Sequence, residues 1–248
     1  MHFMADGGES LCISTIGLVF MMSSPQTPQK PRTKKNLVGA AGKADERKSR
    51  IWKLNEAAIL SGAERVFARA GFEGATMAQI AEEAGVPKPN LHYYFGNKRD
   101  LYRGVLNRVL HDWLDPIDGI VSEADPRTAL ETYIRSKVTL AFDRPDASRV
   151  FANELLHGAP VVGELLRSEL RCIVREKSRV IDGWIAAGRM AAIDSTHLFF
   201  TLWACTQTYA DFDIQIRAVM DPTASIAEQR KRATDHVLTV ILRACGLA

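Results

Sequence analysis

The chain has only four cysteines in 248 residues, at positions 12, 172, 205 and 245, and no two of them form a CxxC pair. That spacing indicates neither a zinc site nor a disulfide framework, and it suits a reducing compartment. No segment shows strand-like alternation bounded by turn pairs such as Asn-Gly, so no hairpin is expected. A glycine-rich phosphate loop, a GxSxG elbow and a Ser/His/Asp order are all missing, which argues against nucleotide enzymes and hydrolases. Long apolar runs are scarce. The one near a terminus, Leu11 to Met22, is too short for a bilayer, which takes about 20 residues. Asp6 and Glu9 stand where a signal peptide would be positive. The expected biological start is therefore Met21 or Met22, and the expected location is cytoplasmic, away from membranes. No internal repeat is found.

What is present is a globular composition. Hydrophobic residues make up 46%, enough for a substantial core in one or two domains. The formal net charge is only +3, but it is unevenly placed. Between Lys30 and Lys53 nine basic and two acidic residues give +7, and the remainder carries 23 basic and 27 acidic residues, or −4. Residues 1–48, rich in Pro, Lys, Gly and Ala from Ser23 to Gly42, read as a disordered basic arm. Such an arm lies along phosphates in some proteins and is a plain solvated tail in others.

The rest is organised around Thr76–Asp100, TMAQIAEEAGVPKPNLHYYFGNKRD. Thr76 and Gln79 have the spacing of a capping box. Met77, Ile80, Ala81 and Ala84 follow at helical intervals. Gly85 suits a sharp stop, because glycine takes a positive φ without strain. Pro87 and Pro89 suit the first turn of a second short helix, which ends at Gly96. Asn97 and Asp100 look like the cap of a third. Two short helices around a glycine turn are the layout of a helix-turn-helix, and equally of an ordinary helical corner. Ile80, Ala84, Val86, Leu91 and Phe95 can share one core. Lys88, Pro89, Asn90, His92 and Tyr93 then lie outside, offering donors for phosphates and base edges with no acidic side chain among them.

The runs AGF (70–72), GATMAQIA (74–81), AGV (84–86), LHYYF (91–95) and NKRDL (97–101) resemble the N-terminal domain of TetR-type regulators. The resemblance covers Ala57 to about Val105, with Pro87 where serine or threonine is commoner. It implies a dimer on a palindromic double-stranded operator, with DNA contacts from Thr76, Lys88, Pro89, Asn90, His92, Tyr93 and Lys98.

Every later start signal is helical. Helix one is expected from Ser49 to Arg69, ended by Gly71, and the helix after Asn97 should reach about Val121. Asp125-Pro126 and Pro145-Asp146 open two more, and Pro160 a long one to about Gly188. Asp194 caps an apolar helix to Met220, stopped by Asp221-Pro222, and a last amphipathic helix ends near Gly246. The expected fold is all-α. A three-helix head (49–96, motif core 76–95) is carried on a larger helical ligand-binding and dimerisation body (97–248).

In the body, Trp203 and Gln207 are four apart and so neighbours on one helical face. An indole plane beside a primary amide can bind a flat, amide-bearing ring, although both residues could be ordinary interior. The runs WACTQTYADF (203–212), EKS (176–178), GW (183–184), ASR (147–149) and ELLHGAP (154–160) resemble RutR-type pyrimidine-utilisation regulators. That resemblance implies a small planar effector, uracil or thymine, held by Trp113, Trp203, Thr206, Gln207, Tyr209 and Asp211, which releases the protein from DNA. A different aromatic or amide ligand is the alternative. From another class, Glu154 and His157 form a Glu-x-x-His, which a di-iron bundle enzyme would need twice, with two further glutamates. No catalytic residue, metal ligand set or cofactor is expected.

Overall fold

The computed structural model describes residues 38–220 and 223–248, and the chain falls into two compact units, Met1–Lys48 and Ser49–Ala248. The expectations for residues 1–37, and for Asp221-Pro222, lie outside the described residues. In the first unit Val38–Lys48 is helical, where a disordered arm was expected. The stretch past Pro31 holds no proline and several good helix formers (Ala, Lys, Glu, Arg), so nothing stops the helix from starting early.

Eleven α-helices follow one another with no strand among the described residues. The first, α1 (Val38–Gly74), is broken at Gly71, whose φ of 68° and ψ of 177° leave helical space. The helix proper therefore ends where the glycine was expected to end it. Then come α2 (Met77–Ala84), α3 (Lys88–Tyr94) and α4 (Lys98–Leu114). Of the expected run to Val121, the stretch Asp115–Gly119 is a 3-10 turn. Pro116 cannot donate to the preceding helical turn.

The body continues with α5 (Pro126–Asp143), α6 (Pro145–Leu156), α7 (Gly163–Leu165), α8 (Arg171–Ala186), α9 (Ser195–Asp211), α10 (Asp213–Val219) and α11 (Ile226–Ala244). A π turn, Leu166–Leu170, joins α7 to α8. The expected helix from Pro160 thus begins only at Gly163, and the expected helix to Met220 is interrupted at Phe212, whose φ of −118° and ψ of 34° are not helical.

Two apolar cores position everything else. In the first, α1, α2 and α3 close on Ile59, Ile80, Leu91 and Leu101, and the cluster runs along α4 to Trp113 and on to Phe151 of α6. In the second, α5, α8, α9 and α11 bury Tyr133, Trp184, Phe199, Leu202 and Ile241. Helix α4 takes part in the first core at both of its ends, so it joins the head to the body as one piece.

Candidate nucleic-acid interface and effector cleft

Local chemistry shapes the head. Thr76 caps α2 reciprocally: its Oγ1 accepts from the Gln79 N–H at 3.2 Å, and the Gln79 Oε1 accepts from the Thr76 N–H at 3.0 Å. Gly85 takes φ 67°, letting its own N–H reach Glu82 O and the Val86 N–H reach Ala81 O. Arg65 donates to Glu83 at 2.6 Å, and Arg69 donates to the same carboxylate, which ties α1 to α2. Those two guanidinium groups hold the Glu83 carboxyl below its usual range. Gly62 lets α1 approach α2 closely, since a Cβ there would lie 2.9 Å from Ala84 backbone atoms.

With Leu91 turned fully inward, the other side of α3 faces solvent. Lys88, Pro89, Asn90, His92 and Tyr93 are all exposed, and Tyr93 keeps 79% of its surface. An aromatic left out of the core beside a lysine, an asparagine and a histidine is a surface for a polar, anionic partner. Lys98 is placed differently. Its ammonium donates to Glu73 O at 3.2 Å and Ala75 O at 3.1 Å and lies 4.5 Å from the centre of the Phe72 ring.

In the body, a cleft of about 610 Å³ opens between α1, α4, α6 and α9, lined by Trp113, Phe151, Gln207 and Asp211. It unites three of the six expected effector residues. The other three point elsewhere. Trp203 donates its indole N–H to the Tyr133 hydroxyl at 2.8 Å, inside the second core, because a helical side chain leans toward the helix start. Thr206 is fully buried, and its hydroxyl donates to Leu202 O at 2.8 Å. Tyr209 stacks on Phe142, with ring centres 5.8 Å apart, and lines a separate groove of about 830 Å³.

Lys137 of α5, which the sequence did not single out, packs against the Trp113 ring. It is 3% exposed, and its ammonium lies 4.2 Å from the centre of the Trp113 ring. Burial pulls it down to about 7, against the upward pull of Asp211. Burial likewise raises Asp211, which accepts from the Ser148 hydroxyl at 2.5 Å. The helical spacing of α5 marks Lys137 as an inward position, between Ile134 and Val138, and that was the available signal.

Glu154 and His157 do not combine. The Glu154 carboxylate accepts from the Val161 N–H at 2.6 Å and the Val162 N–H at 3.1 Å, while the exposed His157 contacts Asn153 O. Among the described residues no group of three His, Cys, Asp or Glu could hold a metal ion.

The deciding match lies over the head and the body in turn. Residues 59–105 match the family described as bacterial regulatory proteins, tetR family, and residues 106–248 match the YcdC-like protein C-terminal region. The chain belongs to the TetR family of transcriptional regulators. One TetR-family relative is the HTH-type transcriptional regulator RutR of Escherichia coli (strain K12). It is 43% identical over 202 residues, spanning 82% of this chain and 95% of the relative. A second, the HTH-type transcriptional regulator TtgR of Pseudomonas putida, is 32% identical over 105 residues, 41% of this chain and 48% of its own length. Among solved structures, a tetR-family regulatory protein from Rhodococcus RHA1 superposes with a TM-score of 0.58 at 17% identity, covering 75% of this chain and 96% of that one. AibR in complex with isovaleryl coenzyme A and operator DNA gives 0.54 at 17%, covering 75% and 97%. These two structures share the fold. A DNA-binding helix-turn-helix therefore occupies the head of this TetR-family regulator.

Proposed function

We propose that the protein is a dimeric repressor of a palindromic operator, released when a small planar ligand, uracil or thymine, enters the cleft beside Trp113. The observation that carries the reading is the course of α4, which starts just after α3 with Leu101 in the core that buries Leu91, and ends in the wall of the cleft. Lys88, Asn90, His92 and Tyr93 make the groove and backbone contacts, with Thr76, Pro89 and Lys98 at the ends of the motif. The division at residues 96 and 97 into head and body follows the same logic, with reading before it and sensing after it.

Release follows from linkage. A ligand changes operator affinity only by as much as it distinguishes the two conformations. Two further ties bear on α4. Arg144, at the corner between α5 and α6, pairs with Asp112 of α4 and Glu64 of α1. Burial, with the Glu154 carboxylate of α6 adding to it, raises the Tyr102 hydroxyl of α4. A ligand that moves α6 against α4 therefore pulls on the head. Gln207 and Asp211 supply polar partners for the ring. Trp203 and Thr206 support them from behind, and Tyr209 does so from the adjoining groove.

Support for a dimer comes from the apolar side chains that one chain leaves exposed near its end: Phe212, Ile214, Val219, Ile226 and Val240. Support for the pyrimidine comes from the RutR-like runs and from a cleft that is part aromatic and part polar.

Operator binding measured by fluorescence anisotropy, with and without saturating uracil, tests the reading. A coupling of about 1–3 kcal/mol weakens operator affinity roughly 5- to 150-fold. An unchanged operator Kd under both uracil and thymine refutes the pyrimidine and leaves the DNA-binding assignment standing.

A further inference from the structure

We infer that Trp52, on the stretch of α1 ahead of the family's DNA-binding segment, is a positioning residue for the reading face. It braces α3 through Tyr94 and so fixes how Tyr93 meets the operator. This rests on α3 being the helix that contacts DNA.

Helix α3 has little of its own to hold it. It is seven residues long, Pro87 at its N-cap makes no side-chain hydrogen bond, and Leu91 is its one buried residue. A helix so short does not persist by itself in water, so its neighbours must fix its direction. Phe95, at its C-cap, is gripped closely, since a Cβ at Gly104 of α4 would lie 3.0 Å from the Phe95 ring. Tyr94 meets Trp52 of α1, with ring centres 5.2 Å apart and planes at 34°. Tyr93 in turn stands edge to face with Tyr94, at 5.6 Å and 88°. A chain of three rings thus runs from α1 to the exposed aromatic of the reading face.

Trp52 stands outside the core of the head. Among the described residues the first fully buried side chain of α1 is Ile59, about two turns further on. Arg50, Ile51, Lys53 and Leu54 around Trp52 are exposed. It also precedes residues 59–105, which carry the family match. A half-buried indole where α1 needs no core residue serves the partner it touches, and that partner sits on α3. An aromatic pair of this kind shifts an equilibrium roughly 2- to 12-fold beyond the area it buries. Without the indole, α3 stays attached through Leu91 and Phe95 but spreads over more orientations, and only the fraction in the reading orientation binds the operator tightly. Non-specific attraction to phosphates makes no such demand on orientation.

The test is fluorescence anisotropy of the full-length protein, well below its melting temperature, on an operator selected from a random pool and on a scrambled duplex. Trp52→Ala should weaken operator binding roughly 2- to 12-fold and leave binding to the scrambled duplex unchanged. Trp52→Phe, which keeps a ring, should restore most of the loss. In a Tyr94→Leu background, Trp52→Ala should cost nothing further. An operator Kd equal in wild type and Trp52→Ala overturns the inference and leaves the assignment of α3 standing. Equal losses on both duplexes overturn it as well, since they mark a general loss of fold or of a phosphate contact. A loss that persists in the Tyr94→Leu background overturns it in favour of direct contact between Trp52 and DNA. If Tyr94→Leu does not fold, Trp52→Phe against Trp52→Ala on the two duplexes decides, and equal operator losses in both variants overturn the brace. A wild type that binds no selected operator overturns the reading of α3 and the brace with it.

Discussion

Lys137 gives the folded chain a distinctive response to alkali. Its ammonium is held at about 7 in the fold, against a reference value of 10.5. Between those two pH values the unfolded chain binds more protons than the folded one, so this group makes stability rise with pH across the window. The burial penalty is fully present below about 7 and is relieved as pH increases. Urea unfolding at pH 7, 8 and 9 should show a steeper gain for wild type than for Lys137→Met, and equal slopes would show that the ammonium is not perturbed. On α3, Asn90→Ala should change the base preference found by selecting operators from a random pool. Lys98→Ala should instead weaken every sequence alike and lower the salt slope by about one. Because Lys98 also holds two carbonyls of the chain just before α2, that variant should melt earlier as well.

The contact of α1 with α2 can be tested through Gly62. A methyl there would press on the backbone of Ala84, so Gly62→Ala should cost about 1–3 kcal/mol by overpacking. Thermal melting would read that cost, and operator affinity should fall with it. This head was legible in the sequence because its signals are local: Thr76, Gln79, Gly71, Gly85 and Asn97 each act within a few residues of themselves. The caps of α5 and α9, Asp125 and Asp194, were legible for the same reason. The break at Phe212 was not, since neither glycine nor proline marks it and the apolar pattern runs through. The cleft was half legible. Trp113, Gln207 and Asp211 do line it, but the turn of Trp203 toward Tyr133 depends on a helix 70 positions away in sequence. Lys137 has the same origin, as its neighbours come from α4 and α9.

For the whole molecule, the exposed apolar side chains of α10 and α11 are the ones to disturb. Ile214, 83% exposed, and Val219, 81% exposed, are the side chains that the proposed dimer should cover. The variant Ile214→Glu with Val219→Glu should sediment as a monomer at micromolar concentration, where wild type should sediment as a dimer, and lose affinity for a two-half-site operator more than for one half-site. An unaltered sedimentation coefficient would move the interface to another face.

The groups around the cleft come from separate stretches of chain: Phe67 on α1, Trp113 on α4, Phe151 on α6, and Gln207 with Asp211 on α9. Each can be exchanged by itself, and none of them lies on α3. A lineage that carries this fold can therefore alter the signal it listens to one codon at a time while the genes under its control stay the same. What is sensed and what is switched are inherited as separable traits, and the same separation makes the cleft a place to retune the chain as a sensor without redesigning its promoter.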